Sequence, residues 1–320
     1  MHTTKNFSIT LVALTKAVFF VLLLYVLCLK LFIENDVQLL FSELLTRLWD
    51  GNSGLLLLAL LLMPLNWMIE VQKLYVLQAG AVDWRLCGRA VLSGISLGVV
   101  TPARLGEYAG RLLVVEKRFR GTTMVATFLM SLSQLSVTLG LGLVAFILLM
   151  ENHSMLNKIR LTWVVVFIVV GIVIVITCYV SWPSLKSRIR ESRLGSNFAA
   201  ALTTPPSVSM LTLIMGLSTV RYLVYMFQYV ILLLYFGVDL PFGILALHVV
   251  VIFLVQSLVP LPPVASLVSR SSVAVLILAP LGINEMVIMT ASIAIWIINL
   301  MIPAFCGMGI IMRLKATSKT

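Results

Sequence analysis

The chain has 320 residues, of which 61% are hydrophobic and 11% are charged, and its formal net charge is +11. Soluble domains are about half apolar and about a quarter charged, so this composition excludes an ordinary soluble protein and indicates an integral membrane protein. The length accommodates about six to eight spans of roughly 20 residues with their loops. We therefore expect a single integral membrane domain over residues 1–320, without a separate catalytic domain.

Six apolar segments are each long enough to cross the hydrocarbon layer of a bilayer. In chain order they are residues 9–33, 54–76, 122–150, 161–181, 208–236 and 285–312. Between the first two, residues 37–49 carry Glu43 and Arg47 at helical spacing, which is typical of a short helix on the membrane surface. The fold class that these segments predict is an all-α polytopic membrane helix bundle with about six full spans.

Two further apolar segments are interrupted by proline and polar residues. One lies near residues 86–121 in the first half, 1–150, and the other near residues 242–284 in the second half, 161–312. Each is flanked by spans that end on the same side, so it either re-enters and returns or crosses twice. Irregular backbone at membrane depth requires surrounding protein or water. We interpret the pair as opposed broken or re-entrant helical elements, which are compatible with an inverted repeat.

Lysine and arginine are distributed unevenly between the predicted loops. Most of them fall between residues 77 and 121, between residues 183 and 207, and in the C-terminal tail. Cytoplasmic loops carry such an excess, so we expect both termini in the cytoplasm and the protein in the inner membrane. The net positive charge belongs mainly to these loops, and no nucleic-acid partner is expected.

The segment TPARLGEYAGR, residues 101–111, places Arg104, Glu107 and Arg111 among glycines inside an apolar region. Ionisable side chains at bilayer depth are costly and commonly functional. If the stretch after Pro102 is helical, Glu107 and Arg111 share one face, with Arg104 one turn earlier. The alternative is a buried set of ion pairs that only ties helices together.

A second polar face lies in the second span, where Asn66, Glu70 and Lys73 follow one another at helical spacing. Glu70 and Lys73 can form an ion pair at this separation. The face either binds substrate or serves as an interhelical strut, with Lys73 reaching toward the cytoplasmic boundary.

Arg221 and Arg270 are predicted to be isolated cations, the first inside a span and the second in the second broken element. If they converge with Arg104 and Arg111, their charge exceeds what Glu70 and Glu107 neutralise. Such a surplus suits a phosphate group, which guanidinium holds through two parallel hydrogen bonds.

Other chemistry is not indicated by the sequence. The glycines Gly94, Gly98, Gly106 and Gly110 have the small-xxx-small spacing of close helix packing. The cysteines occur singly, and neither a metal-ligand grouping nor a nucleophile motif is recognisable. We expect no metal, no cofactor and no enzymatic activity.

Three motifs carry a family resemblance: NWMIEVQK at residues 66–73, TPARLGEYAGR, and SLSQLSVTLGLG at residues 131–142. In this order they resemble the flippase-like transmembrane domain of the lysylphosphatidylglycerol synthase superfamily. The resemblance implies movement of charged or glycosylated lipids between leaflets. Some members carry a soluble aminoacyl-transferase domain in addition, and we expect no such domain within these 320 residues.

The second half departs from the family pattern. Many members have a proline–glycine–glycine element followed by glutamate where this chain has LPPVASLVSR at residues 261–270. Because arginine replaces an acid, an aminoacylated cationic lipid is not carried over as the substrate. An anionic phospholipid or a phosphate-linked glycan lipid fits the positive charge better.

The leading hypothesis is a translocase that moves such a lipid between leaflets, using the eight polar residues of the two faces and the isolated cations as its binding site. A secondary transporter of a small anionic solute is one alternative. The other is the membrane subunit of a lipid-modifying transferase, which would require an enzyme partner.

Overall fold

A computed structural model describes residues 53–101, 104–149, 206–258 and 263–317 of the chain. Every regular element within these ranges is a helix, as the composition predicts. The spans expected at 9–33 and 161–181, and the surface helix expected at 37–49, lie outside the described residues.

Nine α-helices of the described residues are numbered here in chain order. They are α1 Ser53–Leu77, α2 Trp84–Val100, α3 Gly106–Val114, α4 Arg120–Leu149, α5 Val208–Tyr235, α6 Phe242–Leu258, α7 Pro263–Leu278, α8 Glu285–Trp296 and α9 Ile302–Thr317. A π-helical turn, Ile297–Met301, joins α8 to α9. Pro303, two residues after this turn, has no N–H to donate, which is a common reason for a local departure from α-helical bonding.

Four helical stretches are long and apolar enough to cross a membrane: Gly54–Leu77, Lys117–Leu149, Val208–Tyr235 and Glu285–Arg313. They coincide with the predicted spans at 54–76, 122–150, 208–236 and 285–312. Large apolar side chains such as Leu57, Leu61 and Phe305 are exposed on their outer surfaces. Without lipid to cover them, such surfaces would be unfavourable in water, so the protein is a multi-pass membrane protein.

Helix starts follow ordinary capping chemistry where the chain leaves a loop. The Ser207 hydroxyl accepts a hydrogen bond from the Met210 N–H at 3.2 Å at the start of α5. The Asn284 side chain accepts one from the Met286 N–H at 2.8 Å at the start of α8. These caps satisfy backbone donors that have no partner within the first turn of a helix.

The first interrupted segment is an antiparallel pair of helices, α2 and α3. A Cβ added at Gly106 would overlap the Leu97 carbonyl, and one added at Gly110 would overlap the Ser93 carbonyl. The two backbones are therefore in direct contact, which confirms that these glycines serve close packing. Whether this hairpin enters and leaves on one side of a membrane stays a prediction.

The turn of this hairpin is organised by Thr101. Its hydroxyl donates to the Leu97 carbonyl at 3.1 Å and accepts from the Gly106 N–H at 2.7 Å. Arg104 has a left-handed backbone with φ of 57° and lies before α3 begins. The prediction that Arg104 belongs to the helix of Glu107 is wrong, because the chain needs a left-handed residue to reverse direction here.

The second interrupted segment also consists of two helices in contact, α6 and α7. The sequence predicted an interruption by proline and polar residues within the segment near residues 242–284. Instead α7 begins at Pro263 and continues through Arg270 to Leu278. A proline is well tolerated in the first turn of a helix, since its missing N–H has no role there, and the break is correspondingly short.

The two halves of the described chain are interleaved. The buried apolar core is built mainly from α5, α6, α7 and α8, and a smaller core joins α1, α2 and α4. Helix α9 packs on α2, α6 packs on α4, and α7 also touches α2. The two hairpins therefore meet inside one helical bundle; an inverted repeat stays a prediction.

Candidate functional site

Glu70 lies at the centre of the ionisable residues of this bundle. Its Oε2 atom is 3.0 Å from Lys73 Nζ and 3.1 Å from Arg221 Nη1, and its Oε1 atom is 3.0 Å from Arg111 Nη2. These cations come from α1, α5 and α3. One buried carboxylate thus joins three helices.

Arg111 is almost completely enclosed, with 1% of its side chain exposed. Its Nη2 atom pairs with both Glu70 and Glu107. Its Nη1 atom lies 3.4 Å from Thr127 Oγ1 and 3.4 Å from Met130 Sδ on α4. The predicted pairing of Glu107 with Arg111 one turn later is therefore present, and both terminal nitrogens of the guanidinium already have partners.

Arg104 reaches Glu107 from outside the helix. The Arg104 Nε atom is 3.3 Å from Glu107 Oε2, and 44% of the Arg104 side chain is exposed. Glu107 consequently lies between a buried arginine and a half-exposed one. Because an exposed ion pair is screened by solvent, Arg104 contributes little to stability through this contact.

Arg221 is not isolated, contrary to the prediction. Besides Glu70, its Nε atom donates to Asn66 Oδ1 at 2.8 Å and its Nη1 atom donates to Gln134 Oε1 at 3.3 Å. Asn66 and Gln134 belong to α1 and α4, far from Arg221 in sequence. A quarter of the side chain, 25%, is still exposed.

Asn66, Glu70 and Lys73 do share one face of α1, as their spacing predicts, and all three are buried. We call these three residues, with Glu107, Arg104, Arg111 and Arg221, the Glu70 cluster. Within the described residues its four basic side chains face two carboxylates. The predicted surplus of positive charge is thus present.

Arg270 lies apart from the Glu70 cluster. Its Nη1 atom donates to the Tyr225 hydroxyl at 3.3 Å, and the Gln256 amide donates to the Arg270 carbonyl at 3.4 Å. Within the described part of the chain it forms no ion pair with a carboxylate. Its side-chain partner Tyr225 lies one helical turn beyond Arg221 on α5, and the convergence of Arg270 with the other arginines stays a prediction.

Two residues of this region were missed as candidates. Gln134 was not among the predicted site residues; besides its contact with Arg221 it donates to the Ser218 carbonyl at 3.5 Å and so links α4 to α5. Tyr225 received no role, because a tyrosine within an apolar span has no spacing signal of its own. Gln134 occurs in the SLSQLSVTLGLG motif, which was the one available indication.

Gln228 lies two turns from Arg221 on α5 but belongs to a different polar contact. Its amide donates to the Ala59 carbonyl at 2.7 Å and accepts from the Asn299 amide at 2.7 Å. It therefore links α5 to α1 and to the π-helical turn. No group of three or more potential metal-ligating His, Cys, Asp or Glu residues occurs in the described ranges.

The family model described as "Lysylphosphatidylglycerol synthase TM region" matches residues 12–307. The chain belongs to this family. The match includes all residues of the Glu70 cluster and both hairpins, and it confirms the resemblance carried by the three motifs.

Membership in the lysylphosphatidylglycerol synthase transmembrane family indicates a membrane protein of lipid metabolism or lipid transport. A search of curated proteins returned no match. The family match covers nearly the whole of the sequence.

Proposed function

We propose that this member of the lysylphosphatidylglycerol synthase transmembrane family is a lipid translocase that moves an anionic phospholipid or a phosphate-linked glycan lipid between leaflets. The supporting observation is the excess of cations over carboxylates in the Glu70 cluster. A buried or half-buried site with net positive charge attracts a phosphate, and arginine matches its oxygens in pairs.

The cations of the cluster divide into two groups by exposure. Lys73 and Arg111 are enclosed and paired to carboxylates, whereas Arg221 and Arg104 remain partly exposed. We assign the enclosed pair to holding Glu70 and the helices in place. The partly exposed arginines are the ones that an entering headgroup reaches.

Glu70 has enough cationic partners for Arg221 to leave it and bind a phosphate instead. Since Glu70 retains Lys73 and Arg111, it does not become an unpaired buried charge when Arg221 turns toward a phosphate. An unpaired buried carboxylate would cost several kcal/mol. In this mechanism Asn66 and Gln134 guide the Arg221 side chain between its two positions, while the acyl chains stay in lipid.

We further propose that the protein acts without a cofactor, is not itself an enzyme, and lies in the inner membrane with both termini in the cytoplasm. The distribution of lysine and arginine supports this orientation. Transport would then follow a gradient or downhill flow. A lipid-modifying enzyme partner would supply or consume the lipid.

The proposal is tested with purified protein in vesicles that contain a fluorescent phosphatidylglycerol. We expect wild-type protein to equilibrate the probe between leaflets and Arg221→Ala to slow it at least about tenfold, the equivalent of one lost charged hydrogen bond. Arg85→Ala, at an exposed arginine outside the cluster, is the control and retains the wild-type rate. A wild-type rate in Arg221→Ala would refute the role of the cluster in translocation.

The same charge surplus also favours the alternative of a small anionic solute. Glycerol 3-phosphate loaded into the vesicles separates the two functions, because a solute transporter releases it and a lipid translocase does not. Release of glycerol 3-phosphate with no movement of the lipid probe would replace the lipid proposal.

A further inference from the structure

We propose that Tyr225 and Arg270 together form the phosphate-binding subsite for the lipid headgroup, with the Tyr225 hydroxyl as a direct ligand. This inference rests on the proposed lipid translocation and identifies the residues that hold the substrate. It assigns a role to a tyrosine that no motif of the sequence singles out.

Arg221 and Arg270 differ in the number of guanidinium donors that remain free to bind an anion. Arg221 already has a carboxylate and two amide oxygens as partners. Arg270 has a single side-chain partner in the described residues, the neutral Tyr225 hydroxyl at 3.3 Å. That contact is longer than the usual 2.9 Å or so, so it is weak and readily exchanged. Arg270 therefore has more unused donors for an anion.

The Tyr225 hydroxyl accepts a hydrogen bond from Arg270, so its own proton remains available for donation to a ligand. No acceptor for that proton occurs in the described part of the chain. A phenol hydroxyl and a guanidinium that already touch present donors to the same place. An anion between them would receive bonds from both, which is the requirement of a phosphate site.

Tyr225 and Arg270 are both held against α6. The Tyr225 ring is stacked on Phe253 of α6, with 5.0 Å between ring centroids and an interplanar angle of 27°. The Arg270 backbone is tied to α6 through Gln256. Both Tyr225 and Arg270 are half-buried, so the donors are ordered in advance without being sealed from a ligand. Ordering before binding lowers the entropic cost of holding the headgroup.

The subsite and the Glu70 cluster each include a residue of α5. Arg221 and Tyr225 are one turn apart on α5, a rise of about 6 Å. A phosphate released from the subsite thus meets the partly exposed Arg221 next. Arg270 and Arg221 then offer the headgroup two successive cationic contacts.

The experiment measures binding of phosphatidic acid with short acyl chains to the full chain in detergent, with wild-type protein and Tyr225→Phe compared. The variant keeps the ring and its stack on Phe253 and removes only the hydroxyl. We expect Kd to rise about 10-fold to 100-fold, the range for a hydrogen bond to a charged group. An unchanged Kd would overturn the subsite.

Tyr222→Phe is the matched control, because Tyr222 lies on the same helix and its ring also contacts Phe253, edge-on at 5.7 Å. Its hydroxyl is directed to the Val250 carbonyl at 3.5 Å. We expect its Kd to stay within about twofold of wild type, since a bond of that length contributes little. An equal loss in both variants would show a general effect of aromatic packing and would overturn the subsite.

Arg270→Lys provides a second test that does not depend on Tyr225. It keeps the positive charge but loses the planar fork, so we expect weaker phosphatidic acid binding than in wild type. Glycerol 3-phosphate and a diacylglycerol with the same chains separate the sources of affinity. Binding of glycerol 3-phosphate as tight as that of phosphatidic acid would overturn the assignment to a lipid, whereas tight binding of diacylglycerol would overturn the assignment to phosphate.

Translocation is measured on the same proteins, so that the two proposals fail separately. If wild type binds phosphatidic acid through Tyr225 but moves no lipid in vesicles, the translocase proposal is wrong and the subsite stands. If wild type moves the lipid and Tyr225→Phe moves it at the same rate, the subsite is wrong and the translocase proposal stands.

Discussion

Arg221 Nη1 lies 3.1 Å from Glu70 Oε2, and this ion pair joins α5 to the same carboxylate that holds Arg111 of the first hairpin. The pair connects residues that are far apart in sequence and come from different halves of the chain. The ion pair is therefore a direct contact between the two halves. We expect substitutions around this contact to affect the stability of the folded protein and the rate of lipid translocation to different extents.

Glu70→Ala is expected to destabilise the folded protein strongly. Arg111 would lose one of its two carboxylates and Lys73 its only ion-pair partner among the described residues, while both cations stay buried. Removing one member of a buried ion pair costs about 3–5 kcal/mol. Thermal unfolding in detergent measures the change.

The control for this variant is Glu116→Ala, whose partner Arg118 lies at 2.8 Å but on the surface. An exposed pair contributes about 0–1 kcal/mol, so the melting temperature should barely move. Equal melting temperatures for Glu70→Ala and wild type would contradict the central role of Glu70.

Gly110→Ala is expected to disrupt the α2–α3 hairpin, because the added methyl group overlaps the Ser93 carbonyl. Backbone cannot move aside as a side-chain end can, and we expect a loss of about 1–3 kcal/mol. Gly140→Ala on α4 is the matched control, since its new methyl group has no neighbour within 4 Å. A melting temperature for Gly110→Ala equal to that for Gly140→Ala would argue against the close contact.

Arg104→Gly should be more stable than Arg104→Ala, although both lose the contact with Glu107. The left-handed backbone at this position, with φ of 57°, suits glycine and disfavours alanine. We expect a difference of about 1 kcal/mol in the free energy of unfolding. Chemical denaturation of the two variants in the same detergent provides the comparison, and a more stable alanine variant would exclude the left-handed turn.

Asn66→Asp is expected to slow translocation of an anionic lipid while leaving the fold intact. The new carboxylate would pair with Arg221 Nε, now 2.8 Å from the amide oxygen, and would reduce the positive surplus by one charge. We expect at least about a tenfold lower rate, because one added charge in a partly buried site is worth more than 1.4 kcal/mol. Ser209→Asp, exposed near the start of α5, controls for added charge elsewhere and should keep the wild-type rate.

Cysteine labelling tests whether the two hairpins open toward opposite faces. Leu105 and Leu258 are exposed at the turns of the first and second hairpin, and each is replaced by cysteine in a background without native cysteines. If each hairpin turns back at membrane depth, an impermeant reagent reaches each turn more slowly than it reaches a cysteine in a loop. The residues that flank the first hairpin are then labelled from one face, and those that flank the second hairpin are labelled from the other face. In a double crossing, Leu258→Cys would instead be labelled from the face opposite to the one from which the start of α6 and the end of α7 are labelled.

The sequence allowed the helical class and the local pairs to be predicted, because spacing within one helix determines which side chains share a face. Glu107 with Arg111 and Glu70 with Lys73 are of this kind. The partners of Arg221 were not predictable, since Asn66 lies 155 positions away and no periodicity links them. The left-handed Arg104 was also missed, because its conformation is imposed by the reversal between two packed helices rather than by its residue type.

The contacts of α2 have a mechanical consequence. Gly106 and Gly110 bring α3 against one side of it, and Gly307 brings α9 against the Leu92 carbonyl on another. Backbones at this separation leave no side chains between them that could be rearranged, so a displacement of α2 carries α3 and α9 with it. The wide turn at Ile297–Met301, where α9 departs from α8, is then the natural pivot between a moving unit and the rest of the bundle.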